Sequence, residues 1–398
     1  SSCLRSPTST RWLQPLAADA RYDLVLRGAR LFEPSTASWR ATDLAVSDGV
    51  VAAIAESIPA EDGRLSAELR GAMLTPGLTD LHVHAYPGAT FWGIDIDPPS
   101  LRSGVTTVVD AGSAGAANFD GLAPLLRDAT VEAKAFLNIA LDGLVNPYGE
   151  LLEPAAADAE AAVRVARAYP DLIVGFKIRA SPNTVGAHAA HALAAVRRAA
   201  DDVGLPVMVH VSEAPPDLDL VLDHLRAGDV LTHCFTPYDN CVVGADGWPR
   251  PEVREALDRG VLLDVGHGSG SYSFPAAEAW ASSGARPAII STDVHSRSVH
   301  GPAFDMCTVM TKQLMAGNHL DDVLRASTHM PAEVIGRAAT LAVGEPADIA
   351  VLSLEPGILT LWDSRGAERE ADERLRCLLT VRRGRLAFVA PEVRVVGV

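Results

Sequence analysis

The amino-acid sequence predicts an α/β fold, a (β/α)8 TIM-like barrel with a small β-sandwich domain built from both termini. Eight apolar, strand-like segments alternate with alanine-rich helical segments between residues 79 and 295. Histidine, lysine and aspartate concentrate where these strands end, which is the edge of a (β/α)8 barrel that carries the chemistry. Short β-like segments of similar composition lie near both ends of the chain.

The barrel strands are predicted from apolar runs that are mostly continuous, as expected for parallel strands covered on both faces. The eight segments are 79–84, 105–112, 133–141, 172–180, 205–212, 229–235, 260–266 and 287–295. Between them lie good helix formers, such as the alanine-rich stretches 155–170 and 184–202. An open, doubly wound sheet is the alternative, but the number of strands and the position of the polar residues favour the closed barrel.

The domain organisation is predicted from the two ends of the chain. Residues 22–58 contain two β-like runs with a hairpin signal at Ser47-Asp48-Gly49. Similar runs return at 339–354 and 376–390. We therefore expect a sandwich domain from residues 21–75 and 335–398, a (β/α)8 barrel domain from 76–334, and a leader or disordered segment at 1–20.

The composition excludes some classes of function. The net charge of −16 makes nucleic acid or an anionic membrane an unsuitable partner. No run of about 18 apolar residues suggests a membrane span. The five cysteines are scattered and odd in number, which favours a reducing, cytoplasmic location. The expected partner is a small-molecule substrate. The sequence does not determine the oligomeric state, and a homo-oligomer stays open.

The first chemical signal is His82-Val83-His84 at the end of the first barrel strand. Residues i and i+2 of a strand share a face, so both imidazoles point the same way while Val83 points opposite. Two imidazoles at one strand end can bind a divalent metal ion. An isolated pair of this kind is more often an ordinary loop feature, so the interpretation depends on further ligands.

Four further candidate ligands follow at later strand ends. On the fourth strand, Lys177 shares a face with Gly175 and Arg179, opposite the apolar residues. The alternative to a metal ligand at this position is an ordinary catalytic or salt-bridged lysine. The other three candidates end the fifth, sixth and eighth strands: His210, His233 and Asp293.

With these residues in place, the sequence resembles the amidohydrolase superfamily, in the subtype with a binuclear metal centre and a carboxylated lysine. Four segments are similar to a dihydroorotase-like group of amidohydrolases and deacetylases: 80–88, 108–119, 175–181 and 264–274. The resemblance implies two divalent ions, expected to be Zn²⁺. One would be bound by His82, His84, Lys177 and Asp293. The other would be bound by Lys177, His210 and His233, with a CO2-derived carbamate on Lys177.

The resemblance also implies a reaction. A metal-bridging hydroxide would attack the amide or ester of a small acylated acid, such as an N-acetyl-D-amino acid or an acetylated α-hydroxy acid. Asp293 would be the catalytic residue that transfers protons. The predicted substrate contacts are Arg179 for a carboxylate, His267 after the seventh strand, and Tyr86 in the loop after the first. A rim ion pair for Arg179 and a loop-capping role for His267 stay open, and His295 is either a support of the site or a packed histidine.

Other functions use the same fold. Dihydroorotases typically carry an arginine at the position of Tyr86, which counts against that activity, although Arg179 could substitute. A hydantoinase-type cyclic amidase needs the same metal ligands and is the main alternative. A non-catalytic scaffold is less favoured because all six ligands are present, and a lyase or isomerase is a minor option.

Overall fold

A computed structural model describes residues 20–146, 149–285 and 287–397. The predicted leader at 1–20 lies outside the described residues except for its last position. Within these ranges, no helix has the length and apolar character needed to cross a lipid bilayer.

Seven parallel strands form the barrel domain. In spatial order they follow the chain: β6 (Leu78–Val83), β7 (Val105–Gly115), β8 (Glu132–Asn138), β9 (Ile173–Ala180), β10 (Val207–Val211), β11 (Val230–Thr232) and β12 (Leu262–Asp264). Each strand pairs with the next in parallel register, so all seven carboxyl ends lie at one edge. That edge is where the candidate ligands are found.

The eighth predicted strand, residues 287–295, closes the barrel but is not a regular strand. It joins β12 through a single bridge between Asp264 and Ile289, and β6 through one between Val83 and Val294. A long-range side-chain contact accompanies this irregularity: the Asp80 carboxylate accepts hydrogen bonds from both the backbone N–H and the hydroxyl of Thr292. The Asp80 side chain therefore replaces a backbone carbonyl as the acceptor for the Thr292 N–H, and part of the regular hydrogen-bond pattern between strands is missing here.

Helices cover the outside of the barrel, as the alanine-rich segments predict. They are α1 (Asp97–Leu101), α2 (Phe119–Asp128), α3 (Ala159–Ala168), α4 (Pro182–Val185), α5 (Ala189–Val203), α6 (Leu218–Asp223), α7 (Pro251–Asp258), α8 (Phe274–Ser282), α9 (Met306–Met315), α10 (Leu320–Ala326) and α11 (His329–Val334). Standard signals set their ends: the Asp158 side chain caps the start of α3 by accepting from Ala161 N–H. Gly204 ends α5 in the left-handed region, at φ 78°.

Apolar side chains fill the barrel below its carboxyl edge. This inner cluster takes residues from most of the strands and from the eighth segment: Leu81, Val109, Ala111, Phe136, Met208, Val230 and Ile289. A larger cluster lies between the strands and the helices, and Val83 belongs to it. The interior is therefore packed rather than an open pore, and the cavity that holds the candidate ligands lies at the carboxyl edge.

The second domain is a β-sandwich made from both ends of the chain. Its strands are β1 (Tyr22–Glu33), β2 (Ser38–Ser47), β3 (Val50–Ala55), β4 (Gly63–Glu68), β5 (Met73–Pro76), β13 (Ile349–Trp362), β14 (Glu368–Arg382), β15 (Arg385–Val389) and β16 (Val395–Gly397). β1 pairs with β2 along one side and with β4 and then β5 along the other, so the sheet divides at β1. β5 pairs with β13 and runs directly into β6, which joins the two termini to the barrel.

Candidate metal centre

The six predicted metal ligands meet at the carboxyl edge of the barrel. The His84 Nε2 atom lies 3.1 Å from Asp293 Oδ1, and His82 Nε2 lies 3.5 Å from the same oxygen. The Lys177 Nζ atom is 3.3 Å from His82 Nε2. The ring centroids of His210 and His233 are 4.4 Å apart, and those of His82 and His233 are 5.1 Å apart. All six side chains line one cavity of about 260 Å³.

Three of the four histidines are held through the ring nitrogen that faces away from the cavity. His82 Nδ1 is 2.9 Å from Thr232 Oγ1, whose hydroxyl donates to the Asp264 carboxylate. His84 Nδ1 is 2.9 Å from Ser113 Oγ, and His233 Nδ1 donates to the Gly266 carbonyl at 2.6 Å. Contacts of this kind orient a ligating imidazole and leave its Nε2 lone pair for a metal ion.

The chemistry of these groups fits a divalent cation. Burial lowers the pKa of His84 and of His233 to about 4, so both imidazoles are neutral ligands at neutral pH. The buried Asp293 Oδ1 forms no hydrogen bond with the described residues, although His84 Nε2 lies close to it. Ligand atoms of His82, His233 and Asp293 all lie within 4.8 Å of one another. Lone pairs that converge without protons between them are what a shared cation requires.

Two of the candidate ligands sit on unusual backbone. His233 has φ +68° and Asp293 has φ +47°, a region that residues with a Cβ rarely adopt. Such conformations cost free energy and cluster at functional sites. Gly268 packs so closely on Asp293 that a Cβ there would overlap the carboxylate. The placement of these two side chains therefore requires strained backbone at His233 and Asp293 and a glycine at position 268.

Lys177 occupies a site that does not suit an ordinary ammonium group. It is 2% exposed, and its hydrogen-bond partners among the described residues are His82 Nε2 and the Met208 sulfur, the latter at 3.2 Å. Within the described residues, no carboxylate forms a salt bridge with it. Burial lowers the pKa of Lys177 to about 7, so a large fraction of the amine is unprotonated at neutral pH.

Loops that follow the strands form the wall of the cavity. Arg179 lines it, and its Nη1 atom is 3.4 Å from Glu150 Oε1, a carboxylate buried beside β9. The remaining wall residues have no metal-binding pattern in the sequence: Trp92, Leu144, Ser181, Asn183, Ser212, Glu213, Tyr238, Ser269, Ser271 and His295. Sequence reasoning did not identify most of these, because their loops carry no periodic signal.

The structure does not bring Tyr86 and His267 into the cavity. The Tyr86 hydroxyl donates to the Asn118 carbonyl at 3.1 Å. The His267 ring is buried, with Nε2 2.7 Å from Lys312 Nζ, and it stacks on Tyr272. The backbone beyond His267 turns at Gly268, so Ser269 and Ser271 reach the cavity instead. The predicted substrate contacts of Tyr86 and His267 receive no support from this arrangement.

Thr232→Val is expected to weaken metal binding while leaving the fold intact. Valine matches the shape of threonine but removes the hydroxyl that connects His82 Nδ1 to Asp264. Loss of such a supporting contact typically costs about 10–100-fold in metal affinity. Competition with a chromophoric chelator measures the affinity, and Thr236→Val, at another buried threonine, is the matched control. Unchanged affinity would show that the Thr232–Asp264 contact does not orient His82.

Comparison with known proteins gives a consistent answer. Residues 73–398 match the Amidohydrolase family model. A deacetylase of Brucella anthropi is 37% identical over 331 residues, covering 82% of each chain. A deacetylase of Enterococcus faecalis is 30% identical over 370 residues, covering 92% of this chain and 99% of the relative.

Solved structures agree on the fold. A crystal structure described as an adenine deaminase superposes with a TM-score of 0.85 at 29% identity, covering 92% of this chain and 99% of the other. One described as a dihydroorotase gives 0.84 at 32% identity, covering 92% and 98%. With the barrel, the sandwich and the cluster of ligands, these matches show that the chain belongs to the amidohydrolase family and is a hydrolase acting on carbon–nitrogen bonds.

Proposed function

We propose that this protein is a metal-dependent deacetylase that cleaves the amide or ester of small acylated acids, such as N-acetyl-D-amino acids or acetylated α-hydroxy acids. The observation that carries the proposal is the convergence of six ligand side chains in a small cavity that also contains a guanidinium group, on Arg179. The two curated relatives described above, both named deacetylases, support the same reaction class.

The residues divide naturally between two metal ions, for which we propose zinc. One ion would be held by His82, His84, Lys177 and Asp293, and the other by Lys177, His210 and His233. The short distances from Asp293 to His82 and His84, and from the His210 ring to the His233 ring, support this division. Imidazole with carboxylate oxygen is a donor set that suits zinc. When bound, two such ions activate a water molecule and polarise the acyl carbonyl.

Lys177 is proposed to carry a carbamate. Its unprotonated amine would attack the carbon of CO2, form an N–C bond and release one proton, which gives a carboxylate with two oxygens. The support is the burial of Lys177 and its lack of an anionic partner among the described residues. An anionic group with two oxygens between the two halves of the site would complete both sets of ligands.

Asp293 and Arg179 are proposed to handle the substrate. The Asp293 carboxylate would accept a proton from the attacking water and return it to the leaving nitrogen or oxygen as the acyl bond breaks. Burial raises the pKa of Asp293, which brings this carboxylate nearer to the range in which it can both take and give a proton. Arg179 would pair with the substrate carboxylate, and Glu150 would hold the guanidinium in place.

A substrate panel tests the proposal. Both enantiomers of N-acetyl-amino acids and acetylated α-hydroxy acids are compared with cyclic ureides, and acetate release or ring opening is measured. Each acetylated acid is paired with its counterpart that lacks the carboxylate. We expect turnover of the acetylated acids, with kcat/KM lower by at least about 10-fold for the counterparts, since a buried charge pair is lost.

The main alternative is a cyclic amidase of the dihydroorotase or hydantoinase type. The structural likeness to a protein described as a dihydroorotase, at 32% identity, keeps it in consideration. Ring opening of ureides without deacetylation would establish that alternative and overturn the deacetylase proposal.

A further inference from the structure

The last residue of the eighth barrel segment, just before a turn, is a histidine to which the proposed reaction gives no role. His295 lies two residues beyond Asp293, is 4% exposed and lines the same cavity. Its ring stands between two others: the Trp92 centroid is 5.0 Å away in an edge-on arrangement, and the His84 centroid is 6.0 Å away. A polar ring packed at this place either only fills space or contacts the substrate.

The hydrogen bonds of the turn fix the protonation of the His295 ring. The backbone N–H of Arg297 donates to His295 Nδ1 at 3.1 Å, so Nδ1 presents a lone pair and the ring is neutral. In a neutral imidazole the single proton must then lie on Nε2, which is a hydrogen-bond donor. The turn itself is tied down, because Ser298 Oγ accepts from His295 N–H and donates to the Asp293 carbonyl.

The Nε2–H donor of His295 is unused within the described part of the chain. Among the described residues, Nε2 of His295 has no hydrogen-bond partner, and it is not sealed away from the cavity. A donor with a fixed tautomer, in a fixed turn, beside the proposed proton-transfer group, is arranged in advance for an acceptor that arrives with the substrate. The strongest acceptor in an acyl hydrolysis is the carbonyl oxygen as its carbon becomes tetrahedral, because negative charge accumulates there.

We propose that His295 Nε2–H donates a hydrogen bond to the acyl oxygen of the substrate and stabilises the negative charge that develops on it. The inference rests on the proposed function only in requiring attack at an acyl carbon. His295 does not gain or lose a proton in this role, since Arg297 N–H occupies Nδ1. It differs from Asp293, which exchanges protons, and from Arg179, which contacts a different part of the substrate.

The test compares two replacements of His295. His295→Leu removes the donor, whereas His295→Gln places an amide N–H at a reach similar to that of Nε2. We expect His295→Leu to lower kcat by about 10²–10³-fold with little change in KM, the usual cost of losing one donor to an oxyanion. His295→Gln should recover part of the loss. His191→Leu, at an exposed histidine of α5, is the matched control and should behave as wild type.

A second measurement separates contact with the substrate from a purely structural role. Affinity for a phosphonate analogue of the tetrahedral state is measured by calorimetry, together with the metal content of each variant. The proposal predicts weaker phosphonate binding by His295→Leu with an unchanged metal content. Wild-type kcat and phosphonate affinity in His295→Leu would overturn it, and so would a loss of metal that parallels the loss of activity.

The comparison uses whichever substrate the wild type hydrolyses, an acetylated acid or a cyclic ureide. Both present an acyl oxygen, so failure of the deacetylase proposal appears in the wild-type panel and leaves the test of His295 intact. If wild type hydrolyses neither, the phosphonate calorimetry alone decides, and equal affinities of wild type and His295→Leu would overturn the inference.

Discussion

Asp293→Asn is expected to retain most of its bound metal but to lose turnover by about 10²–10⁴-fold, the usual contribution of a positioned proton-transfer group. Asparagine is nearly the same shape as aspartate, so its side-chain oxygen can still face His84 Nε2, which lies 3.1 Å from Asp293 Oδ1. The amide group, however, cannot accept a proton from water and pass it to a leaving group. Steady-state kinetics and metal analysis on the same preparation provide the two numbers.

The control for this variant is Asp128→Asn, which makes the same replacement on an exposed position at the end of α2. It should leave both metal content and turnover unchanged. If Asp293→Asn turned over substrate at nearly the wild-type rate, Asp293 would not be the proton-transfer group. If it lost its metal completely, the carboxylate would act mainly as a ligand.

Lys177→Ala is expected to lose much of the bound metal and nearly all activity. The Lys177 Nζ atom lies 3.3 Å from His82 Nε2, and in the proposed centre Lys177 is a ligand of both ions, so its removal would deprive both of a ligand. Alanine also leaves a space at the barrel mouth that a small anion can occupy. A short carboxylate such as acetate or propionate should therefore restore part of the metal content and part of the activity.

The matched control is Lys134→Ala, at a partly exposed lysine of β8 whose Nζ donates to the Asp171 carbonyl. This variant should bind metal as wild type does. Full metal content in Lys177→Ala would show that the lysine is not a ligand. Loss of metal without any rescue by carboxylates, in a folded protein, would argue against a carbamate.

The sequence predicted the fold because apolar strand-like segments alternate regularly with alanine-rich helical segments. Buried parallel strands read as continuous apolar runs, and the strand ends were marked by polar residues such as His82 and His210. The eighth segment shows the limit of this reasoning. Its composition is that of a strand, but the Thr292 N–H donates to the Asp80 carboxylate. These residues are 212 positions apart, so no local sequence pattern reveals the contact.

The candidate site was predictable where it lies on the strands or at their ends. Period-two alternation placed His82 with His84, and Lys177 with Arg179, on the same faces, and the structure finds all four at the cavity. The positions of loop side chains could not be predicted from the sequence. His267 follows a strand, yet its ring turns toward Lys312. The Lys312 Nζ atom also donates to the Pro302 and Trp362 carbonyls. The tautomer of His295 depends on a hydrogen bond from the Arg297 backbone N–H, which only the structure of the turn reveals.

The metal content of the wild-type protein tests the account most directly. The chain is expressed with zinc and bicarbonate, checked for folding, and analysed for bound divalent ions per polypeptide. The account predicts two ions per chain, because the proposed ligand sets share Lys177, whose Nζ lies 3.3 Å from His82 Nε2. A folded protein that binds one ion or none under these conditions would contradict the binuclear centre on which the proposed reaction depends.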